Sequence, residues 1–308
     1  MKKKSHTIRN VLILSGLVIL GGVLIFNFKK SPDKVTASKN VEKSHQVSIH
    51  KEAPKHKDTD IVPGYNITYA AEKYSVPANE VEQMLEAKYK GNTKMVFLTF
   101  DDGPSINTKH ILNILNEKGV RATFFVIGSN LKSQEDKDLL KEEIKDGNAI
   151  ANHTYSHNYK KLYPGNATDI NYFVDEVNNT NKIMKEILGN DFNTRVLRMP
   201  GGYMSRKYYR DPNLNQLNAF LGKENIVNLD WDAETGDATG KPFTVEQMVQ
   251  NAGKYIKTEN HVILLMHDAG AKVQTVRALP SIIDFFKANG YEFKVIKNSP
   301  IKDKQKDV

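Results

Sequence analysis

The chain has 308 residues, of which 39% are hydrophobic and 26% charged, and this composition excludes a wholly disordered chain and a polytopic membrane protein. It contains no cysteine, so disulfides and thiolate metal sites are excluded, and any metal must be held by histidine and carboxylate side chains. The net charge is +8, but the first 60 residues hold 12 basic and 5 acidic side chains, so the remainder carries only +1. A nucleic-acid enzyme normally carries its basic patch on the folded domain, so no nucleic-acid partner is expected.

Residues 1–28 have the pattern of a cytoplasmic tip and a membrane anchor. Residues 11–28 contain no charged side chain, and as a helix they would span about 27 Å, close to the thickness of a bilayer core. The lysines and Arg9 before this run predict a cytoplasmic N-terminus. We therefore expect a single-pass protein that uses the cytoplasmic membrane as a partner and is otherwise extracytoplasmic. The alternative is a signal peptide cleaved after Ala37, which would give a secreted protein.

Two segments connect this anchor to the main domain. Residues 29–63 are polar and lysine-rich, without apolar periodicity, which predicts a flexible basic stalk. Residues 64–93 predict two short helices around a turn, with Pro77 opening the second. The stretch AAEKYSVP faintly resembles the helical half of a LysM glycan-binding repeat, although no flanking strands are evident. A small helical segment packed on the main domain is the favoured interpretation.

From residue 94 the sequence alternates between apolar strands and amphipathic helices. The predicted strands are Met95–Phe100, Thr123–Ile127, Asn148–Ala151, Arg195–Met199, Ile226–Leu229, His261–Met266 and Tyr291–Ile296. The predicted helices are Thr108–Lys118, Lys137–Asp146, Asp169–Leu188, Val245–Thr258 and Ser281–Asn289. This alternation indicates an α/β fold with a parallel sheet, and the number of units favours a barrel related to the (β/α)8 type. We predict a catalytic domain over 94–300 and a polar tail over 301–308.

Polar residues follow the strand ends, where α/β folds build their sites. Asp101 and Asp102 end the first strand, and neighbouring side chains of an extended chain point to different sides. One carboxylate can therefore bind a metal while the other reaches a water. His153 and His157 follow the third strand and can share one cation if the segment turns like a helix. Asp102 with both histidines forms a set that leaves coordination positions open for substrate, although taken singly a solvated turn or a surface histidine pair explains each motif.

Later strand ends carry three more polar motifs. Arg198 can pair with a carboxylate and keep it ionised, and the glycines of Pro200–Tyr203 allow a ligand to approach the backbone closely. Residues 230–237 are rich in carboxylates and include the only tryptophan, Trp231. His267 lies at the mouth of a strongly apolar strand. Separately, these motifs are also compatible with an exposed turn, a solvated acidic loop and a rim histidine.

The joint order of the five motifs is more specific than any one of them. TFDDGP, HxxxH, RxPGG, WDxxxGD and LMHD follow one another between residues 94 and 296. This order resembles the polysaccharide deacetylase family, also called the NodB-homology or carbohydrate esterase family 4 group. The resemblance implies a distorted (β/α) barrel with a shallow groove that hydrolyses N-acetyl groups of amino sugars or O-acetyl groups of xylan. It also implies one divalent metal ion, usually Zn²⁺ with Co²⁺ or others possible, held by Asp102, His153 and His157.

The resemblance also implies roles for individual residues. Asp101 matches the general base that activates the attacking water, and Arg198 matches its partner. His267 matches the general acid, oriented by Asp237. Leu265 matches an apolar contact for the acetyl methyl. Independently of the resemblance, the oxyanion of amide hydrolysis needs a donor, a task that the metal and the backbone N–H of Gly201 could share.

The sequence departs from the family pattern at two positions. The family often has tyrosine where this chain has Gly201, and tryptophan where it has Ala238. Both changes remove aromatic surface from the groove wall, which leaves the substrate fit open. Trp231 or Tyr203 would have to supply the missing surface.

The sequence therefore predicts a membrane-anchored, metal-dependent hydrolase that removes N-acetyl groups from the N-acetylglucosamine of peptidoglycan, without an obligate protein partner. Alternative substrates are exported poly-N-acetylglucosamine, chitin oligomers and acetylxylan. A non-catalytic glycan-binding module on the same fold is the main alternative of another class, and a wall-tethered scaffold is a third. The presence of both Asp101 and His267 argues against a pure binder, which needs neither an acid nor a base.

Overall fold

The computed structural model describes residues 56–254, 256 and 258–301. The predicted anchor at 11–28, the stalk up to residue 55 and the tail from 302 onward lie outside the described residues. Within the described ranges, no helix combines the length and the apolar character that crossing a bilayer requires.

The described part of the chain alternates strands and helices over most of its length. The strands are β1 Ser75–Pro77, β2 Met95–Gly103, β3 Thr123–Val126, β4 Ala149–Asn152, β5 Val196–Leu197, β6 Val227–Asn228, β7 Ala233–Glu234, β8 His261–His267, β9 Glu292–Phe293 and β10 Val295–Lys297. The helices are α1 Ala78–Leu85, α2 Ile106–Lys118, α3 Gln134–Lys145, α4 Tyr159–Leu162, α5 Ile170–Leu188, α6 Tyr203–Tyr208, α7 Leu214–Lys223, α8 Val245–Ala252 and α9 Val273–Ala288.

The main sheet is parallel and has the strand order β6-β5-β4-β3-β2-β8-β7, with β9 pairing β2 as well. This confirms the predicted α/β fold with parallel strands. The expected barrel is only a half-barrel, because the order runs from β6 to β7 without closing. Both edge strands are two residues long, so they offer few backbone groups for further pairing.

The central strand β2 is buried on both faces, as parallel strands between two layers are. Val96, Leu98 and Phe100 pack in one apolar cluster with residues of α2 and α9. Phe97, between them, packs in a second cluster with residues of α1, including Val81. Because side chains alternate along a strand, the residues that continue the face of Phe97 are Thr99 and Asp101. The alternation therefore directs Asp101 away from the outer helices.

The segment 64–93 differs from the prediction of two helices around a turn. Residues Tyr69–Tyr74 form a 3-10 helix, and β1 then separates it from α1. β1 pairs in parallel with β10, so that Ser75 lies opposite Val295. The single predicted strand Tyr291–Ile296 is divided into β9 and β10. β1 has no sequence signal because its three residues are stabilised by a partner more than 200 residues away.

Local capping explains why some helix boundaries were predicted well. Asp169 accepts the N–H of Tyr172 at 3.0 Å, and α5 ends before Gly189, as the sequence predicts. The helix predicted from Ser281 instead begins at Val273 and contains Pro280. Proline is favoured in the first turn of a helix, but here the packing of the apolar face of α9 outweighs the hydrogen bond lost at Pro280. The short helices α4 and α6, which follow two site motifs, were not predicted.

Candidate active site

The predicted site residues meet at the carboxyl ends of β2, β4, β5 and β8. Asp101 lies opposite His267 in the parallel register of β2 and β8, and Thr99 lies opposite Leu265. Arg198 directly follows β5, and its N–H donates to the carbonyl of Asn152 at the end of β4 at 3.0 Å. Four separate strands therefore contribute to one cluster.

Asp102, His153 and His157, here called the metal cluster, are arranged as ligands of one ion. Asp102 Oδ1 lies 3.4 Å from His153 Nε2 and 3.6 Å from His157 Nε2. Two ligands at zinc-bond distance from a tetrahedral ion are separated by ~3.4 Å. Asp102 Oδ1 is buried and has no hydrogen-bond partner among the described residues, which is costly for an oxygen without a cation or water. The donor atoms and their spacing therefore fit a divalent metal.

The backbone fixes the orientation of both histidines. His153 Nδ1 lies 2.7 Å from the carbonyl oxygen of Arg198. Because a carbonyl only accepts, Nδ1 carries the proton and the lone pair of Nε2 faces Asp102. The turn between the histidines is held by Glu176, whose carboxylate accepts the N–H groups of Tyr155 at 3.0 Å and Ser156 at 2.6 Å.

Two of the three ligands have backbones in the left-handed region, with φ of 75° for Asp102 and 52° for His157. Such a conformation in a non-glycine residue costs of order 1–3 kcal/mol and persists only when the surroundings impose it. Asn130 contributes to this constraint by donating from Nδ2 to the carbonyl of Asp102 at 2.8 Å. Other described residues also have positive φ, but here the strain falls on two of the three residues of the metal cluster.

Arg198 is fully buried and holds Asp101 in place. Its Nη1 lies 2.8 Å from Asp101 Oδ1 and 2.8 Å from Thr99 Oγ1, and its Nε donates to the carbonyl of Leu229 at 2.9 Å. Its guanidinium also lies 4.1 Å from the centroid of the Phe125 ring. The other oxygen of Asp101 lies 3.7 Å from His153 Nε2, so the carboxylate faces the metal cluster.

His267 pairs with Asp237 within the same site. Its Nδ1 lies 2.9 Å from Asp237 Oδ1, while Asp237 Oδ2 accepts the backbone N–H of His267 at 2.8 Å and the hydroxyl of Thr275 at 2.8 Å. Burial lowers the pKa of His267, but the hydrogen bond to Asp237 and the charge of Asp101 outweigh it, so that the pKa is raised. His267 is therefore suited to carry a proton into the site.

The electrostatic environment of the metal cluster favours a cation. Burial raises the pKa of Asp102, but the neighbouring His153 and His157 lower it well below its usual range. Burial lowers the pKa of His153, but the charges of Asp101 and Asp102 raise it overall. The same negative potential that stabilises a proton on His153 stabilises a metal ion at this position.

The predicted substrate contacts occupy different environments. Leu265 is buried beside the catalytic strands, and Gly201 is exposed with φ of 73°. Trp231 packs against Gly202 and lines a cavity of about 470 Å³. The hydroxyl of Tyr203 donates to Asn218 Oδ1 at 2.8 Å, which directs this side chain toward α7, so the structure does not bring it to the metal cluster.

Several residues that support the site were not singled out from the sequence. The carboxylate of Asp230 accepts the N–H groups of Tyr203 at 2.7 Å and Met204 at 2.8 Å, which places α6 directly after the glycines. The fully buried Asp268 accepts the hydroxyl of Thr108 at 2.6 Å, and burial raises its pKa to about 7. Asp230 and Asp268 lie within or beside motifs, whereas Glu176, in the middle of α5, has no local signal.

Comparisons with known proteins agree with this geometry. The profile of the polysaccharide deacetylase family matches residues 88–219. A peptidoglycan-N-acetylglucosamine deacetylase of Bacillus cereus is 30% identical over 223 residues, which cover 71% of this chain and 75% of that protein. A second Bacillus cereus protein of that name is 32% identical, covering 67% of this chain and 87% of its own length.

Solved structures extend the similarity to three dimensions. The structure of a CE4 esterase of Streptococcus mutans is 35% identical, with a TM-score of 0.71 over 78% of this chain and all of that chain. The catalytic domain of a peptidoglycan N-acetylglucosamine deacetylase of Eubacterium rectale is 32% identical, with a TM-score of 0.58, over 67% of this chain and 90% of that chain. The shared motifs, the identity and the coverage lead to one conclusion: the chain belongs to the polysaccharide deacetylase family.

Proposed function

We propose that this enzyme is a metal-dependent hydrolase that removes the acetyl group from N-acetylglucosamine residues of peptidoglycan. The observation that carries the proposal is the placement of two separate proton-transfer groups beside the metal cluster, Asp101 with Arg198 and His267 with Asp237. The names of the similar proteins from Bacillus cereus and Eubacterium rectale support the choice of glycan.

Different residues of the site carry out the separate proton transfers of amide hydrolysis. Asp101, held by a hydrogen bond from Arg198, accepts the proton of the attacking water. His267, kept protonated by Asp237, donates a proton to the departing amine nitrogen, because an amide nitrogen leaves readily only when it is protonated. The backbone N–H of Gly201, an exposed residue, would donate a hydrogen bond to the developing oxyanion.

A divalent ion would be held by Asp102, His153 and His157. It would polarise the carbonyl and lower the pKa of a bound water toward ~7. We propose Zn²⁺, because two imidazoles and one carboxylate without thiolates match its preferences, and Co²⁺ is the nearest alternative.

The direct test measures acetate release by the full-length chain after metal removal and after stoichiometric Zn²⁺ addition. We expect Zn²⁺-dependent release of acetate from peptidoglycan, with weaker release from N-acetylglucosamine oligomers. Mg²⁺, which binds reluctantly to imidazole, serves as the matched control and should restore little activity. Tight Zn²⁺ binding without acetate release from either glycan would contradict the proposal and direct attention to acetylxylan.

Replacing Asp237 with asparagine should move the alkaline limb of the pH–rate profile to lower pH. The general acid must be protonated, so activity falls as the pH rises through the pKa of His267. Asp237 raises that pKa, and asparagine keeps a hydrogen-bond acceptor but removes the charge, so the pKa falls. The profile of kcat should be compared with that of Asp284→Asn, a substitution in an exposed surface ion pair. An unmoved alkaline limb would show that His267 is not the titrating acid.

For localisation, we propose that residues 11–28 anchor the chain in the cytoplasmic membrane with the catalytic domain outside. The uncharged run and the lysines before it support this placement. Membrane fractionation together with N-terminal sequencing tests it. An intact N-terminus in the membrane fraction is expected, whereas a mature protein that begins near residue 38 in the medium would establish a cleaved signal peptide.

A further inference from the structure

A tyrosine from a different element occupies the space beside Gly201. Tyr159 opens α4, two residues after His157. A Cβ at position 201 would overlap the phenol oxygen of Tyr159, and the φ of 73° at Gly201 disfavours any side chain there. Glycine at position 201 is therefore the residue that leaves room for the Tyr159 phenol.

The Tyr159 ring lies beside His157 of the metal cluster and packs against a second tyrosine. Its ring centroid lies 6.0 Å from that of His157 and 5.2 Å from that of Tyr163. Tyr163 is itself fixed, because its hydroxyl donates to the carbonyl of Pro200 at 3.2 Å and the guanidinium of Arg206 lies 3.9 Å from its ring centroid. The Tyr159 ring therefore rests on an ordered support rather than projecting freely.

The other side of Tyr159 faces solvent. The residue is 41% exposed, and its hydroxyl bonds to no atom of the described residues. A preoriented ring with a free hydroxyl contacts a sugar at little entropic cost, because two torsions describe the whole side chain.

Other exposed apolar side chains follow the same strand ends as the residues of the site. Among the described residues, seven large apolar side chains are exposed, and six of them lie on segments that follow the carboxyl ends of β2, β4, β5 and β8. These six, here called the apolar rim, are Ile106, Tyr159, Met204, Tyr208, Tyr209 and Val273. Exposed apolar side chains concentrated around one site indicate a binding surface. Because the six residues follow the ends of four different strands, the apolar rim favours an extended glycan over a single sugar.

We propose that Tyr159 is a substrate-binding residue whose ring packs against the face of the N-acetylated pyranose at the metal cluster and whose hydroxyl donates a hydrogen bond to an oxygen of that sugar. This inference rests on the proposed deacetylase function and specifies how its substrate is held. The aromatic surface missing at position 201 is thus provided by α4, and neither Tyr203 nor Trp231 is needed for it.

The test compares the full-length Zn²⁺ enzyme with Tyr159→Phe and Tyr159→Ala on N-acetylglucosamine oligomers. For Tyr159→Ala we expect KM to rise about tenfold, with a smaller change in kcat and unchanged Zn²⁺ content. Tyr159→Phe, which keeps the ring, should show an intermediate rise. Tyr69→Ala removes a tyrosine of the 3-10 helix in the N-terminal segment and serves as the matched control. Calorimetric titration of an oligomer into Asp101→Asn, with and without Tyr159→Ala, should show the same loss of affinity.

A second pair of variants tests the contact with Gly201. Gly201→Ala should impair activity strongly in the native background, because the new methyl group displaces the Tyr159 phenol. In the Tyr159→Ala background the overlap is gone, so Gly201→Ala should cost much less. Additive effects would show that the two positions do not interact.

The outcomes separate this inference from the proposed function. An active native enzyme whose Tyr159→Phe and Tyr159→Ala variants keep KM within about twofold overturns the inference alone. Loss of Zn²⁺ or of thermal stability in both variants assigns Tyr159 a structural role and overturns it as well. A native enzyme that binds Zn²⁺ but deacetylates no glycan overturns the proposed function.

Discussion

Asp101→Asn should lower kcat by about 10³-fold while Zn²⁺ binding and the fold are retained, within the range found for the loss of a positioned general base. The substitution preserves the shape of the side chain and an oxygen that accepts from Arg198 Nη1, which lies 2.8 Å away in the native chain. It removes the basic oxygen that faces the metal cluster, 3.7 Å from His153 Nε2. The measurement is single-turnover acetate release, with Zn²⁺ content and thermal unfolding recorded in parallel.

Asp138→Asn, on the exposed face of α3, is the matched control and should leave turnover unchanged. The same experiment separates an enzyme from a glycan-binding module, because a binder should keep its affinity for oligomers and show no turnover even in the native form. Retention of more than about a tenth of the native kcat by Asp101→Asn would contradict the role of general base.

Arg198→Met should destabilise the protein by about 3–5 kcal/mol, the cost of leaving a buried carboxylate without its partner. Arg198 is fully buried and supplies a charge to Asp101 together with hydrogen bonds to Thr99 and Leu229. Activity should be lost as well, since the Arg198 side chain holds the Asp101 carboxylate that faces the metal cluster. The free energy of unfolding in urea gives the size of the effect.

A double variant makes the cause of this destabilisation testable. Adding Asp101→Asn to Arg198→Met removes the unpaired charge, so the double variant should be more stable than Arg198→Met alone. The exposed Arg210→Met should change stability by less than about 0.5 kcal/mol. Equal destabilisation in the single and double variants would mean that Asp101 is not the charge that Arg198 compensates.

The candidate site was easier to predict from the sequence than the fold around it. The chemistry of the site depends on residue types that rarely occur together, so Asp101-Asp102, the two histidines and Arg198 were identifiable by their order along the chain. The residues that hold these side chains in place could not be identified from the sequence. Glu176 holds the turn between the histidines from the middle of α5, where it occupies one position among other polar helix residues.

The source of the aromatic surface in the groove could not be predicted from the sequence either. From the sequence, glycine at position 201 indicated a missing aromatic side chain in the groove wall. Tyr203 and Trp231 were the two residues expected to replace it. The side chain that fills the space is Tyr159, 42 positions earlier in the chain. Only the packing of α4 against the turn after β5 brings these two positions together.

The amino-acid sequence by itself determined the parallel α/β architecture and the set of residues that meets at its strand ends, because strand and helix periodicity and side-chain chemistry are local properties. It also established most boundaries of helices that carry their own caps, such as α5. The tertiary structure decided what depends on distant partners: the pairing of β1 with β10, the incomplete closure of the barrel, the start of α9 before Pro280, and the place of Tyr159 over Gly201. These features are stabilised by contacts between segments far apart in the chain, for which no local pattern exists.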